Sequence, residues 1–242
     1  MSKILITGSS GRLGVELKRL FDDVLAPSSG ELDITQEKMV DDYIKTHSPD
    51  VIIHLAAMTD IRKCDVKRAL AWRINVEGTY NLIRSINKHA KGAYLIHMST
   101  PCVFSGKEGN YLENSVPAPE NFYGVTKMVA ESLVRYSMLE KTLIIRANFV
   151  PKEKWPFPRA FTDRFGTYLF ADQLASAIKE VMAEKLTGIV HVVGDKKISM
   201  FELAKITTPE VLPMTVSDYT GPNLTMDMSL DSSRWRKYKI GS

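Results

Sequence analysis

The sequence predicts an α/β fold, a doubly wound parallel sheet with helices on both faces, and three observations carry that prediction. Uninterrupted apolar runs recur at strand length, stretches with apolar residues at helical spacing separate them, and a glycine-rich turn joins the first run to the first helix. A strand buried on both faces has no need of polar alternation, so continuous apolar runs mark a sheet covered from either side. At 242 residues and 44% hydrophobic composition, the chain can build one substantial core with a small appended lobe.

The elements follow in order. Apolar runs at 4–6, 51–55, 94–98, 143–145 and 189–193 read as strands, with a further short strand around Val24, Leu25 and Ala26. Helical spacing covers 36–46, 76–89, 123–138 and 172–183, and a first helix after the glycine turn would turn Leu13, Leu17 and Leu20 to the core. Between 151 and 164 the pattern breaks, with Pro151, Pro156 and Pro158 set around Trp155 and Phe157, which predicts a loop or lid. The expected division is therefore residues 1–150 as one domain and 151–242 as a small substrate lobe, with about 168–195 returning to the first domain. Ser199 and Glu202 form a capping box that opens a late helix.

Composition narrows the function classes. The 32 Lys and Arg residues against 28 Asp and Glu give a formal charge of +4, dispersed along the chain, which argues against a nucleic-acid binder and suits a small anionic ligand. The apolar run after Met1-Ser2-Lys3 is too short for a signal peptide and no later run has the length of a membrane span, so a cytoplasmic protein without membrane partners is expected. Cys64 and Cys102 stand in no metal-ligand spacing, and reduced thiols with no metal site are the expectation.

Gly8-Ser9-Ser10-Gly11-Arg12-Leu13-Gly14 follows the first strand directly. Glycines at these positions allow a tight turn, close approach of the backbone to a pyrophosphate and close helix packing, while the helix N-terminus presents the positive end of its dipole. This is the pattern of a Rossmann dinucleotide site. An acidic residue usually ends the second strand and holds the ribose 2′-hydroxyl. Here Pro27-Ser28-Ser29 stands there, and with Arg12 in the loop a 2′-phosphate would be tolerated, which favours NADPH and leaves NADH as the alternative.

Tyr123 and Lys127 are four apart in a helical stretch and share a face. A phenol has a pKa near ~10, and a neighbouring ammonium would bring it toward a working range for proton transfer. Thr100 closes the strand at 94–98 on the carboxyl edge, where a doubly wound sheet collects its ligands. Its hydroxyl could orient a substrate carbonyl or simply cap the turn before Pro101.

Together, Thr7 to Gly14, Leu55-Ala56-Ala57-Met58-Thr59, Asn75-Val76-Glu77-Gly78-Thr79, Ser99 to Gly106 and Tyr123-Gly124-Val125-Thr126-Lys127 resemble, in order and spacing, the extended short-chain dehydrogenases/reductases. Within them the chain is most similar to the dTDP-4-dehydrorhamnose reductases, which reduce a 4-keto-6-deoxy nucleotide sugar. The resemblance implies catalytic roles for Thr100, Tyr123 and Lys127, with Lys127 tuning the tyrosine and gripping the nicotinamide ribose. It implies cofactor contacts from Gly8, Ser10, Gly11, Arg12 and Leu13, from Asp33 and Ile34 at the adenine, and from Leu55, Ala56, Ala57 and Thr59 along the ribose and phosphate. Asn148 and Phe149 would join Thr100 at the substrate. A homodimer is compatible with the resemblance.

The chain also departs from that pattern. Thr-Asp-Tyr-Val-Phe is usual where this chain has Thr100-Pro101-Cys102-Val103-Phe104, and an acidic residue is frequent where Arg62 stands. Without the Asp-Glu pair of a dehydratase, water elimination is disfavoured. A nucleotide-sugar 4-epimerase and a non-catalytic dinucleotide-binding regulatory subunit are the alternatives to a reductase. Trp155, Phe157 and Arg159 could form a sugar-nucleotide wall or merely pin a proline-rich loop.

Overall fold

The computed structural model describes residues 2–241. The chain opens with β1 (Ile4–Thr7) and α1 (Arg12–Leu20), followed by α2 (Glu37–His47), β2 (Val51–His54), α3 (Ile61–Val66) and α4 (Arg68–Trp72). A π-helical turn, Arg73–Glu77, runs into α5 (Gly78–His89); β3 (Tyr94–Ser99), a 3-10 turn at Pro101–Val103, α6 (Phe122–Arg135) and β4 (Lys141–Arg146) come next. Beyond them lie β5 (Asn148–Val150), β6 (Arg159–Phe161), β7 (Phe165–Gly166), β8 (Tyr168–Phe170), α7 (Ala171–Ala183) and β9 (Gly188–His191). The described chain closes with β10 (Ile198–Ser199), α8 (Met200–Thr207), β11 (Leu212–Met214) and β12 (Asp227–Met228).

The five apolar runs form one parallel sheet in the order β1-β2-β3-β4-β9. The expected strand around Leu25 is reduced to a single bridge to Leu5 on the free flank of β1, closed by Ile6 N–H to Leu25 O at 2.8 Å and Leu25 N–H to Ile4 O at 2.8 Å. The chain thus visits one side of β1 at Leu25 and then the other at β2. That reversal opens a crevice at the carboxyl end of β1, where such sheets bind ligands.

Alternation along the strands divides the core by face. Ile4, Ile6, Ile53, Ile96 and Ile145 meet Leu13 and Leu17 of α1 and Leu174, Ile178 and Val181 of α7. Leu5, Ile52, Leu95 and Ile144 meet Val40 and Ile44 of α2, Leu82 and Ile86 of α5 and Val134 of α6. Truncating any one of these fully buried leucines or isoleucines to alanine would cost about 2–5 kcal/mol. α1 begins at Arg12 because Gly14 admits the close pass of the turn: a Cβ there would lie 2.6 Å from Gly8 O. α8 opens on the expected capping box, Ser199 Oγ accepting from Glu202 N–H at 3.1 Å while Glu202 receives the Ser199 N–H at 2.7 Å.

The remaining strands are short. β7 lies between β10 and β12, β6 pairs with β11 and β5 with β8. The proline-rich stretch is a loop, pinned by Trp155 on its own neighbourhood: its N–H reaches Thr208 Oγ1 at 2.8 Å and its indole N–H reaches Arg159 O at 3.2 Å, with Phe157 edge-on and exposed. No helix among the described residues is long and apolar enough to cross a membrane.

Candidate active site

The glycine turn forms as a cradle. Gly8 has φ +70° and its Cα faces the β2 exit so closely that a Cβ would stand 2.7 Å from Ala56 N. Gly11 N–H returns to Gly8 O at 3.0 Å, and Gly11 precedes α1 with no side-chain cap. The first N–H groups of α1, at Arg12 and Leu13, therefore point outward with the dipole behind them, ready for an anion. Ser10, Gly11 and Arg12 are exposed and Leu13 is buried in the core, so Leu13 can offer only its backbone. This open, uncapped cradle fits the pyrophosphate of a dinucleotide.

At the edge past Leu25 the structure corrects one expectation. Ser28 does not offer a free hydroxyl: its Oγ and N–H both donate to Glu31 Oε2 at 2.8 Å, so a carboxylate does stand at the end of this strand, folded back from three residues on. Those bonds hold the exposed Glu31 carboxyl below its usual range. Asp33 accepts from Thr35 N–H and Oγ1 at 2.9 and 2.8 Å, while the Ile34 side chain packs into the core where α5 begins at Gly78. Leu55, Ala56 and Ala57 line the β2 exit half-buried, and Thr59 is exposed beyond them.

A buried polar chain fixes that exit. Thr7 Oγ1 meets His54 Nδ1 at 2.7 Å, His54 Nε2 meets Thr79 Oγ1 at 3.0 Å, and Thr79 donates to Asn75 O at 2.8 Å. Because the Thr79 hydrogen is spent on Asn75, His54 donates from Nε2 and accepts at Nδ1. Burial, with Lys127 adding to it, brings His54 down to about 3, so the ring stays neutral. Asn75, in the π-helical turn, accepts from Met58 N–H at 2.7 Å and donates to Met58 O at 3.0 Å and Thr126 Oγ1 at 2.9 Å; Thr126 donates to Tyr123 O at 2.7 Å. The glycine cradle, the 55–59 loop and the Tyr123 helix are thereby joined in one hydrogen-bonded network.

Thr100, Tyr123 and Lys127 come together at the carboxyl edge of β3, all buried. Thr100 accepts from Cys102 N–H at 3.2 Å, capping the 3-10 turn, and its own hydrogen remains available beside the Tyr123 phenol. The capping reading of Thr100 thus holds. Burial raises Tyr123 above the ordinary phenol range, Cys102 and Cys64 add to that, and the Thr100 hydroxyl opposes it. Lys127 does not bear on the phenol as expected. Its ammonium is turned to the sheet, donating to Met98 O at 2.8 Å and His97 Nε2 at 3.1 Å. An ammonium has three donors, so one is left for a ligand hydroxyl. Burial brings Lys127 down to about 8, with Glu131 opposing.

Sequence reasoning missed the supports. His97 accepts from Lys127 at Nε2, and its Nδ1 is buried without a hydrogen-bond partner among the described residues. One turn beyond Lys127, Glu131 accepts from Ser99 Oγ at 2.5 Å and from Arg146 Nε and NH2 at 2.9 and 2.6 Å, a buried ion pair that ties α6 to the ends of β3 and β4. His97 stands inside an otherwise apolar strand run and Arg146 directly ends one, and those polar positions were the available signal. Asn148 and Phe149 lie on β5, half-buried, with Phe149 against the main core and Asn148 Nδ2 3.8 Å from Met228 Sδ.

The chain is similar to known proteins over nearly its whole length. The dTDP-4-dehydrorhamnose reductase of Aggregatibacter actinomycetemcomitans is 30% identical over 84% of this chain and 77% of its own length. The methionine adenosyltransferase 2 subunit beta of Pongo abelii is 25% identical over 99% of this chain and 83% of its own. The crystal structure of the Bacillus anthracis dTDP-4-dehydrorhamnose reductase in complex with NADP superposes with a TM-score of 0.90 at 25% identity, covering 99% of this chain and 95% of that one. The family model of the RmlD substrate binding domain matches residues 2–155, well over half of the sequence, and the chain belongs to the RmlD family.

Proposed function

We propose that the protein is an NADPH-dependent reductase of a 4-keto-6-deoxy nucleotide sugar, acting in deoxysugar precursor synthesis. The observation that carries the reading is the Thr100 hydroxyl beside the buried Tyr123 phenol, next to a glycine cradle shaped for a dinucleotide. When bound, NADPH supplies the hydride; NADH is the alternative reductant. Gly8, Gly11, Arg12 and Leu13 hold the pyrophosphate, and Lys127 uses its remaining N–H on a ribose hydroxyl. Thr100 orients the substrate carbonyl. Tyr123 gives its proton to the oxygen at C4 as charge develops there, and the neutral phenol imposed by burial keeps that proton in place until then. Asn148 and Phe149 contact the sugar.

In this reading residues 1–150 with about 168–195 form the cofactor domain and the rest of 151–242 the substrate lobe, in a cytoplasmic protein that forms a homodimer. The likeness to an adenosyltransferase beta subunit favours one competing reading, a cofactor-binding subunit without turnover. Absorbance of reduced nicotinamide, followed with the 4-keto-6-deoxy nucleotide sugar generated in the cuvette, separates the two. Substrate-dependent loss of NADPH is expected, with Tyr123→Phe lowering turnover by about 10²–10⁴-fold while cofactor still binds. Binding without consumption would favour the subunit reading, retained oxidised cofactor with interconversion of sugars a 4-epimerase, and undiminished turnover in Tyr123→Phe would refute the assignment of the proton donor.

A further inference from the structure

Arg164, between β6 and β7, is nine-tenths buried yet has no anionic partner among the described residues. Its Nε donates to Thr225 O at 3.0 Å, while NH1 and NH2 meet only thioether sulfurs, Met200 Sδ at 3.4 Å and Met228 Sδ at 3.1 Å. Thioethers are weak acceptors, so the guanidinium fork is desolvated without being neutralised, an arrangement that is costly unless a ligand completes it. Asp227 acts on the same locality but is committed to Lys197 and to the Ser229 hydroxyl and N–H, at 2.6 and 3.0 Å from the latter two.

Two further groups point the same way. Thr225 Oγ1 is buried and closes no hydrogen bond among the described residues, and the buried Tyr168 hydroxyl closes none of ordinary geometry, the Asn148 side chain alone bearing on it. Burial raises the Tyr168 phenol and the Arg164 guanidinium draws it partway back, which puts the two in electrostatic reach of one another. Tyr168 and Met228 belong to the same apolar cluster as Tyr123 and Cys102, and Cys102 bears on both phenols. This locality therefore adjoins Tyr123, with Tyr168 carried on β8.

We infer that Arg164, with the hydroxyls of Tyr168 and Thr225, is a binding site for an oxyanion of the substrate, reached when the flexible Met200 and Met228 side chains swing off the guanidinium. The fork matches the two oxygens of a phosphate or a carboxylate, and methionine is the residue best able to yield its place without strain. The inference rests on the nucleotide-sugar reading and narrows it: the oxyanion is either the substrate's diphosphate or a carboxylate on its sugar.

Calorimetric titration of the full chain with dTDP, UDP, thymidine and glucuronate tests this without turnover. Arg164→Gln is expected to weaken nucleoside diphosphate binding about 10–100-fold and to leave thymidine unchanged. Loss confined to glucuronate would assign the site to a sugar carboxylate. If no oxyanion probe binds Arg164→Gln more weakly than the parent, the site is refuted, and substrate-dependent NADPH oxidation would still uphold the reductase. Should Arg164→Gln fail to fold, Tyr168→Phe, which removes one buried oxygen and keeps the ring, decides by the same criterion with a loss of about fivefold.

Discussion

Replacing Glu131 by Gln isolates the buried ion pair at low steric cost. The carboxylate receives Arg146 through two short bonds and Ser99 through a third, and Arg146 is 2% exposed. An amide of the same shape can accept one guanidinium N–H but turns its NH2 toward another donor, leaving the cation buried beside a neutral group. The remaining neighbours of the guanidinium are Glu113 O at 3.4 Å, the neutral His191 Nε2 at 3.4 Å and the Phe104 ring at 4.9 Å, none of which supplies a charge. Two charge-assisted bonds at about 1.5–3 kcal/mol each amount to roughly 3–6 kcal/mol, and the one bond the amide can keep trims the loss to roughly 3–5 kcal/mol, the range found for breaking one side of a buried pair. For a chain of this size that lowers Tm by roughly 6–20 °C. Urea and thermal unfolding of Glu131→Gln, Arg146→Met and the double variant measure it. The double variant should recover part of the loss, since a buried pair removed whole is cheaper than one removed by half. A single-variant loss below about 1 kcal/mol, or strict additivity in the double variant, would refute the claim that these charges depend on one another.

Four other perturbations test the site and its surroundings. Gly8→Ala adds a Cβ 2.7 Å from Ala56 N at φ +70°, so it should cost about 2–5 kcal/mol and abolish NADPH binding, as read by unfolding and fluorescence titration. Lys127, held at about 8 against an ordinary 10.5, binds its proton less readily folded than unfolded, so stability from this group rises between pH 8 and 10.5 by up to ~3 kcal/mol; Lys127→Met should flatten that limb. At the acid end the sign is the same: burial depresses His54 to about 3 and His191 to about 4, the unfolded chain takes up the protons first, and stability falls as pH drops below 6.5. Finally, Glu31→Gln removes the carboxylate held by Ser28 and should raise the NADPH over NADH binding ratio severalfold, an effect that shrinks with added salt.

The fold was largely legible because its signals are local. Ile4 to Ile6, the 51–55 run and the 94–98 run carry their own burial on both faces, and all five apolar runs stand in the one sheet. The strand at Leu25 shrank to a bridge because a single side of β1 supports it and Pro27 follows at once. Helix 123–138 stops at Arg135, and the short helices α3 and α4 went unread because their few turns hold only Cys64 and Ala71 fully inside. Thr100, Tyr123 and Lys127 could be picked out as types and spacings, but where Lys127 points depends on Met98 and His97, thirty residues away in sequence. The Ser28 to Glu31 bond and the Glu131–Arg146 pair are likewise matters of which polar atoms meet, and periodicity says nothing about that.

The closing stretch around Ser229 to Ser233 lies far along the chain from what it touches. Ser229 Oγ receives Asn110 N–H across 119 residues, Ser232 and Ser233 bind the Glu113 carboxylate, and Asp231 O meets His191 Nδ1 at 2.8 Å. During translation Glu113 must therefore wait for its partners on the order of ten seconds at ordinary elongation rates. Until then the half-buried Glu113, which meets the ends of β4 and β9 at Arg146 and His191, lacks its closing partners. A ribosome stall between residues 191 and 229 would therefore leave a sheet complete in its strands but unsealed at its carboxyl edge.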